Sequence, residues 1–118
     1  MAVWNYKNFP KYEMECKCGC GLLPTPKFME RLQALRDRYG KPIYVTSGAR
    51  CPIHNAKISG SSRSKHIEGI AADISCTSHE KYILVKIAIE LGFGGIGVAK
   101  SFLHVDTRDM KESIILTY

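Results

Sequence analysis

The 118 residues suit one domain with a single modest core, and hydrophobic residues at 45% with charged residues at 24% are ordinary for a folded globular chain. Disorder is excluded on that balance, and so is a membrane span: the longest apolar runs, such as Ile83 to Val85 and Ile114 to Leu116, are far too short to cross a bilayer. Lys and Arg outnumber Asp and Glu 17 to 11, and the net +6 points to an anionic partner (nucleic acid, a lipid surface, or a polymer such as bacterial wall) or simply to a surface kept soluble by scattered charge.

In chain order, the start Met-Ala-Val-Trp-Asn-Tyr-Lys carries no basic leader followed by a long apolar run. Action outside a membrane would therefore require release or delivery by another factor. The first 24 residues read as irregular, with Trp4, Tyr6, Phe9 and Tyr12 expected to pack on the core. Cys16, Cys18 and Cys20 alternate, and alternating residues of an extended segment share a face. With Cys51 they could bind a structural zinc; one of them could form a disulfide with Cys51; or all could be free thiols.

A helix follows. Thr25 suits the N-cap and Pro26 the first helical position, Phe28, Leu32 and Leu35 form an apolar stripe, and Gly40 with Pro42 ends the run. Ile43 to Thr46 reads as a short strand. Ser47 to Ser64 is polar and glycine-bearing, hence a long loop, and long loops in compact domains are usually functional. Ile70 to Cys76 reads as a buried strand. Thr77 with Glu80 makes a capping box for a second helix running to about Leu91, ended by Gly92, Gly94 and Gly95. Ile96 to Val98, Phe102 to Thr107 and Ser113 to Thr117 read as three strands, with turns near Lys100 and Asp109-Met110. The expected fold class is α+β: a small antiparallel sheet with two main helices.

Ser64 to Asp73 is the most informative stretch. Asp73 stands inside an apolar run, after Ile70-Ala71-Ala72 and before Ile74, where a carboxylate is costly unless a cation or hydrogen-bond donors satisfy it. Gly69 lets the chain turn between His66 and Asp73. Farther on, His104 and Asp106 share one face of a strand, opposite Leu103 and Val105. One buried His–Asp pair is common in ordinary cores. Two imidazoles and a carboxylate, however, are also a three-ligand set that leaves zinc an open position for water.

Ser64-Lys65-His66-Ile67-Glu68-Gly69-Ile70-Ala71-Ala72-Asp73 matches the S-x-H-x-x-G-x-A-x-D signature of the M15 zinc peptidases, which share a fold with the hedgehog signalling domain. Ser47-Gly48-Ala49-Arg50, with Asn55 and Gly60 after it, resembles that family's S-G-x-R segment. Leu103-His104-Val105-Asp106 resembles its last-ligand strand, and Cys-Lys-Cys-Gly-Cys resembles small phage-type members. The resemblance implies a hedgehog/DD-peptidase-like domain over residues 1–118 that binds zinc through His66, Asp73 and His104. It implies a peptidoglycan peptide as substrate, cut at D-Ala-D-Ala or at an internal L-Ala-D-Glu bond. Arg50 would anchor the substrate carboxylate, a task suited to a bidentate guanidinium, and Ser64 would line the site.

Many family members place a catalytic acid three residues before the last histidine; here that residue is Ser101. Asp106 is the expected replacement as catalytic base, with Glu68 the weaker candidate. The alternative is a zinc-stabilised binding module of the same fold without catalysis. His54, in the loop after Arg50, is a candidate substrate contact, whereas His79 falls in a helix's first turn and is expected to be solvated. A monomer is expected, without nucleic acid and without membrane insertion; no Cys/His spacing of the usual finger type supports nucleic-acid binding.

Overall fold

The computed structural model describes residues 4–58 and 64–118; Gly60 lies outside them. The first long helix, α2 (Pro26–Tyr39), begins as its local chemistry dictates. Thr25 Oγ1 accepts the Phe28 amide at 3.2 Å, Pro26 takes the first turn, and Gly40 closes the helix in the left-handed region at φ 76°. The second, α4 (Ser78–Glu90), starts at the reciprocal capping box of Thr77 and Glu80.

The five-stranded sheet is ordered β1-β2-β4-β3-β5, from β1 (Tyr44–Ser47), β2 (Ala71–Ser75), β3 (Gly95–Val98), β4 (Phe102–Asp106) and β5 (Ile114–Thr117). The expected mixture of helices on an antiparallel sheet holds for β1, β2, β4 and β3, but β5 lies parallel to β3. The chain after β4 turns away through a single 3₁₀ turn, Met110–Glu112, crosses the end of the sheet and returns in the same direction as β3.

Two short helices revise the expected irregular segments. A one-turn helix α1 (Lys11–Met14) lies within the first 24 residues, and α3 (Pro52–Lys57) occupies part of the expected long loop, with Pro52 in its first turn and the Cys51 sulfur accepting the His54 amide. Phe9 is buried and Trp4 and Tyr6 pack on the core, whereas Tyr12 is 68% exposed and does not.

Strand alternation divides the sheet into two chemically different faces. Ala72, Ile74, Leu103, Val105 and Ile96 join Phe28, Met29, Leu32, Leu35, Leu84 and Ala88 in one buried cluster beneath α2 and α4. Each fully buried large side chain there contributes roughly 1.5–3 kcal/mol. The intervening residues Ala71, Asp73, His104 and Asp106 therefore occupy the opposite face, together with Gly95 and Gly97 of β3.

Candidate metal centre

Asp73 and His104 are directly opposed across the β2–β4 ladder. His66 reaches them from the turn at 65–69, where Ser64 Oγ accepts the His66 amide at 3.2 Å and Gly69 adopts φ 73°. At Gly69 a side chain would be strained by the backbone and would also press on the Leu23 carbonyl at 3.3 Å. Asp73 Oδ1 lies 3.2 Å from His66 Nε2 and 3.1 Å from His104 Nδ1, and the two imidazole rings are 5.2 Å apart. One ligand atom from each of the three residues falls within 4.8 Å of the others.

The remaining ring nitrogens fix the tautomers. His66 Nδ1 faces the Gly48 carbonyl at 2.7 Å, which can only accept, so this nitrogen carries the hydrogen. His104 Nε2 faces Asp106 Oδ2 at 2.8 Å and donates to that carboxylate. In the neutral rings both inward nitrogens then present lone pairs to a single carboxylate oxygen of Asp73. That arrangement is repulsive unless both rings take a second proton or a cation sits among the three groups. The donor set thus fits a divalent metal with nitrogen and oxygen ligands.

The charges agree. Burial pushes the Asp73 carboxyl up, but the facing His104 and His66 rings outweigh it and hold the group below the usual carboxylate range. Burial pushes His104 down, yet its bonds to Asp106 and Asp73 leave it above its ordinary value.

Asp106 is placed differently from the expected base. It is completely buried, and it meets His104 at Nε2, the nitrogen turned away from Asp73 and His66. Arg108 clamps it as well, through its amide at 3.1 Å, Nε at 2.9 Å and an Nη at 2.7 Å. Burial raises the Asp106 carboxyl, but Arg108 and His104 outweigh it and hold the group ionised. Its geometry is that of a group that fixes the His104 ring. Glu68 is turned outward and paired with Lys65 at 2.9 Å, its side chain 53% exposed. Ser101 sits in the β3–β4 turn, where its carbonyl accepts the Cys76 amide at 3.3 Å.

Arg50 is half-buried beside this centre, its amide bonded to the His66 carbonyl at 3.0 Å. Its Nε is buried and has no hydrogen-bond partner among the described residues. Burial pushes the guanidinium pKa down against the opposing pull of Asp73. His54 stands in the first turn of α3, with its amide on the Cys51 sulfur, and His79 is exposed as expected.

Sequence reading missed four participants. Arg108 clamps Asp106, and the Tyr118 ring lies 6.3 Å from that of His104. Gly95 and Gly97 keep the face open: a Cβ at Gly95 would lie 2.2 Å from the Asp106 oxygens, and one at Gly97 would meet the Tyr118 ring at 2.4 Å. The signal available for the glycines was their alternation on a strand facing His104 and Asp106. Tyr118 had none, because its position depends on the parallel return of β5.

A family model described as peptidase M15 matches residues 3–106. A zinc D-Ala-D-Ala carboxypeptidase of Streptomyces albus G is 39% identical over 66 residues, which is 55% of this chain and 26% of that protein. The match therefore spans about a quarter of that relative's length.

Proposed function

We propose that this chain, which belongs to the peptidase M15 family, is a zinc-dependent hydrolase of bacterial cell-wall peptides, acting as a single domain. The observation that carries this reading is the convergence of two inward imidazole lone pairs on the half-buried Asp73 carboxylate, a set that a divalent cation completes. The name of the Streptomyces relative supports zinc as that cation and a D-Ala-D-Ala terminus as the substrate class. Zinc bound there supplies an acidified water and polarisation of the scissile carbonyl.

The chain's own residues do the rest. The Gly48 carbonyl and the Asp106 carboxylate each hold one histidine in the ligating tautomer and orientation. Arg50, with a polar atom unpartnered among the described residues, binds a carboxylate of the peptide and sets its register against the metal. Ser64 holds the backbone that carries His66. A terminal D-Ala carboxylate or the α-carboxylate of an internal D-Glu would satisfy Arg50 equally.

The binding-module reading retains one specific support: both candidate carboxylate bases are engaged elsewhere, Asp106 by His104 and Arg108, and Glu68 by Lys65. One experiment separates the readings. The zinc-loaded protein is incubated with a peptide ending in D-Ala-D-Ala and with a muropeptide containing L-Ala-D-Glu, and the products are identified by mass. Cleavage of either, abolished in His104→Ala together with loss of the zinc at this centre, is expected. Zinc bound at this centre with both peptides left intact would instead make the chain a binding module.

A further inference from the structure

We propose that Cys16, Cys18, Cys20 and Cys51 form a second metal site, a structural tetrathiolate centre for zinc that is separate from the His66–Asp73–His104 group. The four sulfurs all lie within 4.8 Å of one another. Cys16 and Cys18 Sγ are 3.4 Å apart, and Cys18 and Cys51 Sγ are 3.6 Å apart. Four sulfurs arranged tetrahedrally at the usual zinc–sulfur bond of about 2.3 Å would stand about 3.8 Å from each other. These two separations lie close to the edge of a metal-centred tetrahedron, and none of the cysteines is joined in a disulfide.

The backbone is shaped for this convergence. Gly19 and Gly21 take φ 85° and 88°, and a Cβ at either would touch nothing within 4 Å. They serve conformation rather than space, curling the segment so that the Cys16 amide bonds the Leu22 carbonyl at 2.9 Å. The fourth thiol comes from 33 residues beyond Cys18, at the start of α3. Amides point at the sulfurs as acceptors, Cys51 N on Cys16 Sγ at 3.3 Å and His54 N on Cys51 Sγ at 3.4 Å, the polarity that stabilises thiolates. An all-sulfur set is soft, so it selects zinc over magnesium or calcium. Cys18 and Cys20 are exposed, which leaves a path for the ion. Cys76 stands outside the group and has no part in it.

Such a centre ties the loop at 16–20 to the residue that follows Arg50. It joins there an existing backbone bond, Ala49 N to the Met14 carbonyl at 2.9 Å.

The test is metal content and cobalt spectroscopy of the full chain purified under reducing conditions. Two zinc ions per chain are expected, one remaining in His66→Ala and one in Cys20→Ser. Cobalt-loaded protein should show thiolate-to-metal charge-transfer absorption that survives His66→Ala and disappears in Cys51→Ser. If the three-ligand site is misread, the zinc count falls to one but that absorption persists, so the two failures are distinguishable. If the cysteine variants do not fold, persistence of the absorption in His66→Ala decides the matter alone. A reduced chain with four reactive thiols in this cluster and no charge-transfer absorption would overturn the proposal.

Discussion

Replacing Asp106 by Asn keeps the shape of the side chain and removes its charge. The buried carboxylate accepts from His104 Nε2 and from three nitrogens of Arg108. The amide of Asn can still accept from the Arg108 backbone and Nε through its oxygen, but its NH₂ then stands where Oδ2 stood, against both an Arg108 Nη and the imidazole. There it donates to Nε2 and drives the hydrogen onto Nδ1, the nitrogen that faces Asp73. A ring in that tautomer cannot ligate. Metal affinity should therefore fall by roughly 10–100-fold.

Stability should fall too. Breaking a buried ion pair costs about 3–5 kcal/mol, but the Arg108 side chain is 16% exposed and keeps one bond, so the loss should be at the lower end. A loss of about 3 kcal/mol lowers Tm by roughly 10 °C in a domain of this size. Competition with a chromogenic chelator measures the affinity, and thermal melting with and without zinc measures the stability. Unchanged affinity and Tm, together with a kcat lowered by roughly 10²-fold or more, would refute the reasoning and make Asp106 the general base.

Arg50→Lys should lower kcat/KM by roughly 10–100-fold, the scale of one charge-assisted hydrogen bond, with Tm nearly unchanged. Steady-state kinetics beside a melting curve checks this, and a large fall in Tm with intact kinetics would make Arg50 structural. Gly95→Ala should destabilise by about 1–3 kcal/mol through overpacking and should weaken zinc binding, because its Cβ would fall 2.2 Å from an Asp106 carboxylate that is clamped on both sides. Equal zinc affinity in the variant and the parent would show that Asp106 can yield without disturbing His104.

The elements with local signals were legible in the sequence. Thr25, Pro26 and Gly40 bracket α2, and Thr77 with Glu80 starts α4, because capping is settled by atoms within four residues. The grouping of His66, Asp73 and His104 came from the resemblance to the M15 signature, because the spacing alone left an ordinary buried His–Asp pair open. Helix α3 was missed because its cap is a cysteine sulfur, outside the usual capping residues. The parallel placement of β5 was missed because a crossover is fixed by packing over the whole sheet. Alternation correctly put His104 and Asp106 on one face, but it carries no information about which ring nitrogen meets which carboxylate. That detail is what sets a positioning role for Asp106 against the expected role as base, and the Asp106→Asn measurements above decide between them.

The direct opposition of Asp73 and His104 across β2 and β4 has a further consequence for assembly. A slip of one residue between those strands would send His104 to the helix-covered face and bring Leu103 or Val105 opposite Asp73. An ion that needs both side chains can bind only the correctly aligned pair, so ligation at the proposed site would act as a proofreading step on strand alignment. Chains folded in the presence of metal should accordingly hold fewer misaligned sheets than chains folded without it, independently of any catalysis.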